Sequence, residues 1–306
     1  MKKSISFNFL SRFENFISFG GGHITASLYC GDPPIIFDPG VSAFGPFYLK
    51  KIMANTAHAE SLLLALSHAH FDHCGAAAYL TRKIPAIKVA ASSRAAEILQ
   101  RPNAVELIGR LNAEYEKSME KELQGEEVAF TALNVDFKLH DDDKISLGND
   151  RYCNIIETPG HTRDSISYFL PDPGVLVIGD AAGACENNFI HSPFLTSYEN
   201  YIASIEKLQL IRPSGLCIAH NGILTGGDVP LYLELALTAA IEYKDMIDHY
   251  LDACHEDQEK VVQKITAEEY DAMPHHIQKR RPFILNLQAK VNAVAKLRHQ
   301  VRSTGE

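Results

Sequence analysis

Leu62-Leu-Leu-Ala-Leu-Ser-His68-Ala-His70-Phe-Asp72-His73-Cys-Gly75 runs from an apolar strand straight into a row of metal-binding side chains. Leu62 to Leu66 have the unbroken apolar character of a strand buried on both faces. Three imidazoles and a carboxylate follow, and then the small residues Gly75 to Ala78, which suit the start of a closely packed helix. In extended backbone, residues i and i+2 point the same way, so His68 and His70 can reach one metal ion together. The turn into the helix re-aims Asp72 and His73, which can serve a second ion beside the first. Imidazole nitrogen with carboxylate oxygen is the donor set of zinc and of non-haem iron in catalytic sites.

Outside this stretch, the 306 residues suit one large α/β domain, or a domain with an appended subdomain, and the 46% hydrophobic content gives ample core. A net charge of -9 argues against a dedicated nucleic-acid binder, which needs a basic face. Cys30, Cys74, Cys153, Cys185, Cys217 and Cys254 are scattered and form no C-x-x-C pair, as reduced core residues of a cytoplasmic protein would. Arg12 and Glu14 interrupt the only signal-peptide-like region, and no apolar run has the length of a membrane span. The expectation is a cytoplasmic protein with no nucleic-acid or membrane partner.

Along the chain, Ile24 to Tyr29 and Pro34 to Phe37 read as strands, the second ending in Asp38-Pro39-Gly40. A helix over 46–59 feeds the motif strand. After the motif come a helix from Ala76, a strand from Ile87 to Ala91 and a helix from Ser92. Residues 103–123 are helical, with Val105, Ile108, Leu111 and Tyr115 on one packing face. Val128 to Leu139 and Lys144 to Leu147 read as strands around the solvated turn Asp141-Asp142-Asp143. Three more strands end in single polar signals: Cys153 to Glu157 before His161, Gly174 to Ile178 before Asp180, and Gly215 to Ala219 before His220. Groups carried on strand-end loops of a rigid sheet can converge in one cleft, and the glycines beside them permit sharp turns.

His68-x-His70-x-Asp72-His73, with His161 in Thr-Pro-Gly-His-Thr, Asp180 in Gly-Asp-Ala and His220, resembles the metal signature of the metallo-β-lactamase superfamily over roughly residues 17–225. The resemblance implies an α/β fold, the αββα sandwich, with the metals at one edge. It also implies two divalent transition-metal ions, zinc or iron: His68, His70 and His161 on the first, Asp72, His73 and His220 on the second, and Asp180 bridging. Asp38 falls where that family keeps a strand-end aspartate; on its own it reads equally as a turn residue or as a support behind the metal ligands. Keeping His at 70 and Asp at 180 is similar to the hydrolytic, glyoxalase II-like branches. The implied domains are a metallo-β-lactamase-like unit over 1–228, with a helical insertion at about 101–124, and a C-terminal helical cap or interface subdomain over 229–306.

Two ions sharing one water bring its pKa towards neutrality, so the expected chemistry is attack by a bridging hydroxide on a small ester, thioester, lactone or phosphodiester. Asp72 and Asp180 offset cationic charge and orient the attacking oxygen, and no Ser or Cys nucleophile is needed. Ser67 and Ser165 read as local hydrogen-bonding groups. Asn187, Asn188 and His191 fall on a loop after Asp180, and His191 and Phe194 are the candidate substrate contacts. A capped helix from Ser197 points Tyr201, Ile205 and Leu208 inward. The tail is helical over about 232–253, 256–273 and 282–301. Its stripe of Leu233, Ala236, Leu237, Ala240 and Ile247 is expected to cover the active-site mouth or to form a homodimer surface. His275, His276, Lys279, Arg280 and Arg281 form its basic patch. Length, the Cys74-Gly75 continuation, the helical insertion and the tail also resemble a quinolone-signal response branch. That likeness implies a second reading, a metal-containing regulatory or interaction protein whose output is binding.

Overall fold

The computed structural model describes residues 6–21, 23–56, 59, 61–186, 189–272 and 279–304. Its first sheet has seven strands in sequence order: β1 (Arg12–Phe13), β2 (Phe16–Gly21), β3 (Ile24–Tyr29), β4 (Ile35–Phe37), β5 (Leu62–Ala65), β6 (Ile87–Ser92) and β7 (Phe137–Leu139). The chain enters as an antiparallel meander and turns parallel from β4 onward. The parallel part needs helical crossovers. These are α1 (Gly45–Thr56) between β4 and β5, then α2 (Phe71–Cys74) and α3 (Ala77–Lys83) before β6. α4 (Ser93–Ile98), α5 (Pro102–Ser118) and α6 (Glu120–Leu123) precede β7.

The second sheet contains β8 (Lys144–Ser146), β9 (Tyr152–Glu157), β10 (Ile166–Leu170) and β11 (Val175–Val177). After the small hairpin β12 (Ala184–Glu186) and β13 (Phe189–His191) and helix α7 (Tyr198–Ile211), the sheet is completed by β14 (Gly215–Ile218) and β15 (Gly222–Thr225). Its spatial order is β15-β14-β11-β10-β9-β8, with β11 and β14 parallel and the other pairs antiparallel. Helices α8 (Asp228–Ala253), α9 (Gln258–Ile265) and α10 (Arg280–Thr304) follow, and α9 winds on through a π-helical turn at Thr266–Asp271.

Side-chain alternation explains the layering. Along β5, Leu62 and Leu64 join the core under α1, α3 and α5, while Leu63 and Ala65 face the second sheet. Along β11, Val175 and Val177 face the first sheet, while Leu176 packs under α7 and the tail. Each strand is therefore buried on both faces, as its continuous apolar character requires. The result is the expected αββα sandwich: helices, sheet, sheet, helices.

Three expectations change. Of the strand read over 128–139 only Phe137–Leu139 forms; Val128, Phe130 and Leu133 instead anchor an irregular crossing segment in the helix-side core. β1, β2, β10, β15 and the β12–β13 hairpin escaped the sequence reading. The apolar stripe of α8 packs within the chain itself. Leu233, Ala236, Ala240 and Ile247 are buried with Tyr201, Ile205 and Leu208 of α7 and with Leu287, Val291 and Val294 of α10. With α7, the tail thus forms the outer helical layer of the second sheet and covers Leu176, Leu216 and Leu224.

Candidate metal centre

β4, β5 and β6 are mutually parallel, and so are the directions of β9, β11 and β14, so the C-terminal ends of all six gather at one edge of the sandwich. Asp38 follows β4, His68 and His70 follow β5, His161 follows β9, Asp180 follows β11 and His220 follows β14. The backbone turns sharply at several of these points: Asp38 has φ 45° and His220 φ 68°, both left-handed. Gly179 has φ 51°, and a side chain there would run into Ser67 Oγ at 2.4 Å, so the residue before Asp180 has to be glycine.

The side chains converge. His68, His70 and His161 form one group of donors, Asp72, His73 and His220 another, and His68, His73 and Asp180 a third, each with donor atoms within 4.8 Å of one another. His70 Nδ1 lies 3.1 Å from His161 Nε2. Asp180 sits between the groups, with Oδ2 3.4 Å from His161 Nε2 and 3.5 Å from His73 Nε2, and Oδ1 3.4 Å from His220 Nε2. A tetrahedral ion with bonds of about 2.1 Å places its ligand atoms about 3.4 Å apart. The spacing is that of donors around a cation. His68 Nε2, His73 Nε2 and Asp180 Oδ1 are buried without a hydrogen-bond partner among the described residues, a costly arrangement unless a cation takes those lone pairs.

The opposite side of the rings is fixed. Asp38 accepts from Ser67 N through Oδ1 at 2.7 Å and from Ser67 Oγ through Oδ2 at 2.6 Å. Its Oδ2 also takes His73 Nδ1 at 3.0 Å. Ser67 Oγ, already donating to Asp38, accepts from His68 Nδ1 at 3.0 Å. His161 Nδ1 donates to the carbonyl of Pro193 at 2.8 Å, and His220 Nδ1 to that of His23. With Nδ1 so engaged, Nε2 of these four rings is left as the donor towards the cluster, while His70 turns its Nδ1 there. Asp164 Oδ2 accepts from Ala69 N at 2.8 Å and so holds the backbone between His68 and His70.

Electrostatics divide the cluster. Burial, and then the neighbouring imidazoles, push His68 well below its ordinary value; burial and His161 push His70 to about 4. Both are neutral, the ligating form. Burial disfavours charge at His73 and His220 too, but Asp180 outweighs it, with Asp38 assisting at His73, and both are raised. Burial would raise Asp180, yet His73 and His220 hold it well below the carboxylate range, so it is ionised.

All seven sequence-read ligands therefore meet at this edge, and Asp38 and Ser67 stand behind them. The two candidate substrate contacts do not. His191 lies on strand β13, not a loop, and is exposed, with Nε2 3.2 Å from Glu186 Oε2. Phe194 is fully buried against Tyr198, Tyr201 and Tyr243, because the tail helices close over it. Asn187, Asn188, His275 and His276 lie outside the described residues. Of the basic patch, Lys279 pairs with Glu114 at 2.6 Å and Arg280 with Asp271 at 2.8 Å. Lys279 thereby ties the tail to α5, whose Tyr115 packs on Phe71 beside Asp72. Sequence reasoning missed Asp164, three residues after His161, and the carbonyl supports from Pro193 and His23. A carbonyl leaves no signature in residue types.

Among curated proteins, the chain is 27% identical to the bovine (Bos taurus) acyl-coenzyme A thioesterase MBLAC2 over 163 residues, 53% of this chain. The chain spans about half of that relative, 55% of its length. Among solved structures, a metallo-β-lactamase family protein of Thermus thermophilus, TTHA1429, superposes with TM-score 0.61 at 14% identity, covering 94% of each chain. The Sulfolobus tokodaii superfamily protein ST1585 superposes with TM-score 0.57 at 20% identity, covering 93% of this chain and 100% of its own. These structures share the fold. The family model of the metallo-β-lactamase superfamily matches residues 19–220, from the second strand to the last histidine of the cluster, and the chain belongs to that superfamily.

Proposed function

We propose that the chain is a dinuclear metal-dependent hydrolase of small acyl substrates, with thioesters favoured over esters, lactones and phosphodiesters. The observation that carries this reading is the convergence of seven ligand-type side chains with Asp180 between two groups of imidazoles. His68, His70 and His161 would hold one divalent ion; Asp72, His73 and His220 would hold a second, with Asp180 shared between them. Nitrogen and oxygen donors suit zinc and iron alike. Bound there, two such ions supply an acidified water and polarise the oxygen that becomes negative.

The chain's own groups do the rest. Asp72 and Asp180 offset the cationic charge. Asp38, Ser67 and Asp164 fix the rings and the backbone that carry the donors. Neither nearby hydroxyl is free to act as a nucleophile: Ser67 is committed to Asp38 and His68, and Ser165 Oγ lies buried 2.6 Å from Thr162 Oγ1. The preference for thioesters is supported by the likeness to the bovine acyl-coenzyme A thioesterase.

Elemental analysis of protein purified without added metal, followed by a screen of ester, thioester, lactone and phosphodiester substrates, tests the proposal. Close to two transition-metal ions per chain and turnover of a thioester are expected. His68→Ala should lose most of one ion and nearly all activity. Full metal content in a combined His68, His70 and His161 alanine variant would overturn the assignment. Metal-loaded protein that turns over none of the panel would favour the regulatory reading instead.

A further inference from the structure

Pro159 and Arg163, which flank His161 in sequence, line a groove of about 390 Å³ together with the start of α7, the start of α4 and the C-terminal half of α10. Three cations line it, Arg94, Arg163 and Lys296, against a single carboxylate, Glu199. All three are exposed, and among the described residues none has an acidic partner. In a chain of net charge -9, these three cations share one concavity with a single carboxylate. Ser197 and Tyr198 add the first turn of α7, a 14-residue helix in which Ser197 Oγ caps the Asn200 N–H.

The groove is mechanically part of the metal edge. Thr196 N and Ser197 N both donate to the carbonyl of Gly160, at 3.0 and 3.3 Å, so the loop bearing His161 is stitched to the start of α7. Arg163 is two residues beyond His161. Ser92, the cap of α4, donates its Oγ to the carbonyl of Asp164 at 2.7 Å, which places Arg94 beside the same loop. An anion in the groove would therefore be held by the loop that carries a metal ligand, to one side of the donor cluster.

We propose that this groove is a phosphate subsite for the nucleotide end of an acyl-coenzyme A, with Arg94, Arg163 and Lys296 binding phosphate oxygens while the thioester lies at the metals. The proposal rests on the thioesterase reading above. Coenzyme A suits the arrangement because a long flexible arm separates its thioester from its phosphates. Guanidinium groups bind phosphate oxygens in bidentate fashion, and a lysine ammonium adds a point charge.

The test uses the metal-loaded, full-length protein and the double variant Arg94→Glu, Lys296→Glu, which leaves every metal ligand in place. Binding of adenosine 3′,5′-bisphosphate is measured by calorimetry. Hydrolysis is measured on an acyl-coenzyme A and on the matching acyl-pantetheine, which lacks the nucleotide phosphates. The wild type should bind the bisphosphate and the double variant at least tenfold more weakly. The ratio of kcat/KM for acyl-coenzyme A to that for acyl-pantetheine should fall at least tenfold in the variant, through KM. No bisphosphate binding by the wild type, or equal binding and an unchanged ratio in the variant, overturns the subsite. Charge-dependent binding with neither thioester hydrolysed supports the subsite and overturns the thioesterase reading, so the two failures are distinct.

Discussion

His73 and Asp38 are joined by one hydrogen bond, Nδ1 to Oδ2 at 3.0 Å, across 35 residues of sequence. The bond fixes which nitrogen of His73 faces the cluster. The same carboxylate takes both polar groups of Ser67, and through Ser67 it also reaches His68. One aspartate thus orients a ring from each of the two donor groups. Asn tolerates the left-handed backbone at this position, where φ is 45°, so Asp38→Asn should fold. It removes the charge and offers only one acceptor oxygen. Metal affinity should fall about 10–100-fold, the scale for outer partners of metal ligands. Retention during titration with a chelator measures this, and wild-type retention would reduce Asp38 to a turn residue.

Asp180 is the carboxylate with oxygens towards both groups of imidazoles. Replacing it by Asn keeps its shape and removes the charge that holds His73 and His220 in place. Asp180→Asn should keep the circular-dichroism spectrum, retain metal more weakly and slow hydrolysis at least about a hundredfold, as when a group stabilising the transition state is lost. Unchanged kinetics would refute the role.

What the sequence made legible follows from periodicity. Leu62 to Leu66 can be read as a two-faced strand because its residues enter two cores in alternation, and His68-x-His70 then has one possible facing. The single signals at His161, Asp180 and His220 become a site because parallel strands bring their ends to one edge. His191 and Phe194 were not legible in this way. Each follows Asp180 closely in sequence, but β12 and β13 pair as a hairpin that turns His191 to solvent, and the tail buries Phe194. The tail's role depended on which surface lacked cover, and that is a property of the second sheet rather than of the tail.

Removing the tail tests that role. A chain ending at Gly227 would expose Tyr201, Ile205 and Leu208 together with the outer face of the second sheet. It should be insoluble or unfolded rather than a broader-specificity enzyme. Because failure to fold is a blunt result, a point change is more informative. Leu251 is fully buried in this core, so Leu251→Ala should cost about 2–5 kcal/mol in urea unfolding, with no change in oligomeric state by sedimentation. A loss well below 1 kcal/mol, or a shift from dimer to monomer, would return the stripe to an interface role.

Lys290 gives the clearest pH prediction away from the cluster. Its ammonium lies 3.9 Å from the centre of the Tyr243 ring, half-buried between α8 and α10, and desolvation there pushes its pKa down to about 8 although Glu269 opposes the shift. Tyr243, which donates to Glu269 at 2.8 Å, is the other titratable group at this point. A lysine whose folded pKa lies below its unfolded value destabilises the fold while it is charged in both states. That cost is fully present below pH 8. Between about 8 and 10.5 the folded chain releases the proton first, the unfolded chain holds more protons, and stability rises with pH. Lys290→Met keeps the apolar stem and removes the charge together with its contact to the ring. The variant should be about 1–2 kcal/mol more stable than wild type at pH 7, the loss of the cation–π contact offsetting part of the gain. The difference should shrink through that window and nearly vanish at pH 10.5. Urea midpoints for both proteins at pH 7, 9 and 10.5 measure it; a constant difference, or a destabilised variant at pH 7, would show that the ammonium is stabilised where it lies.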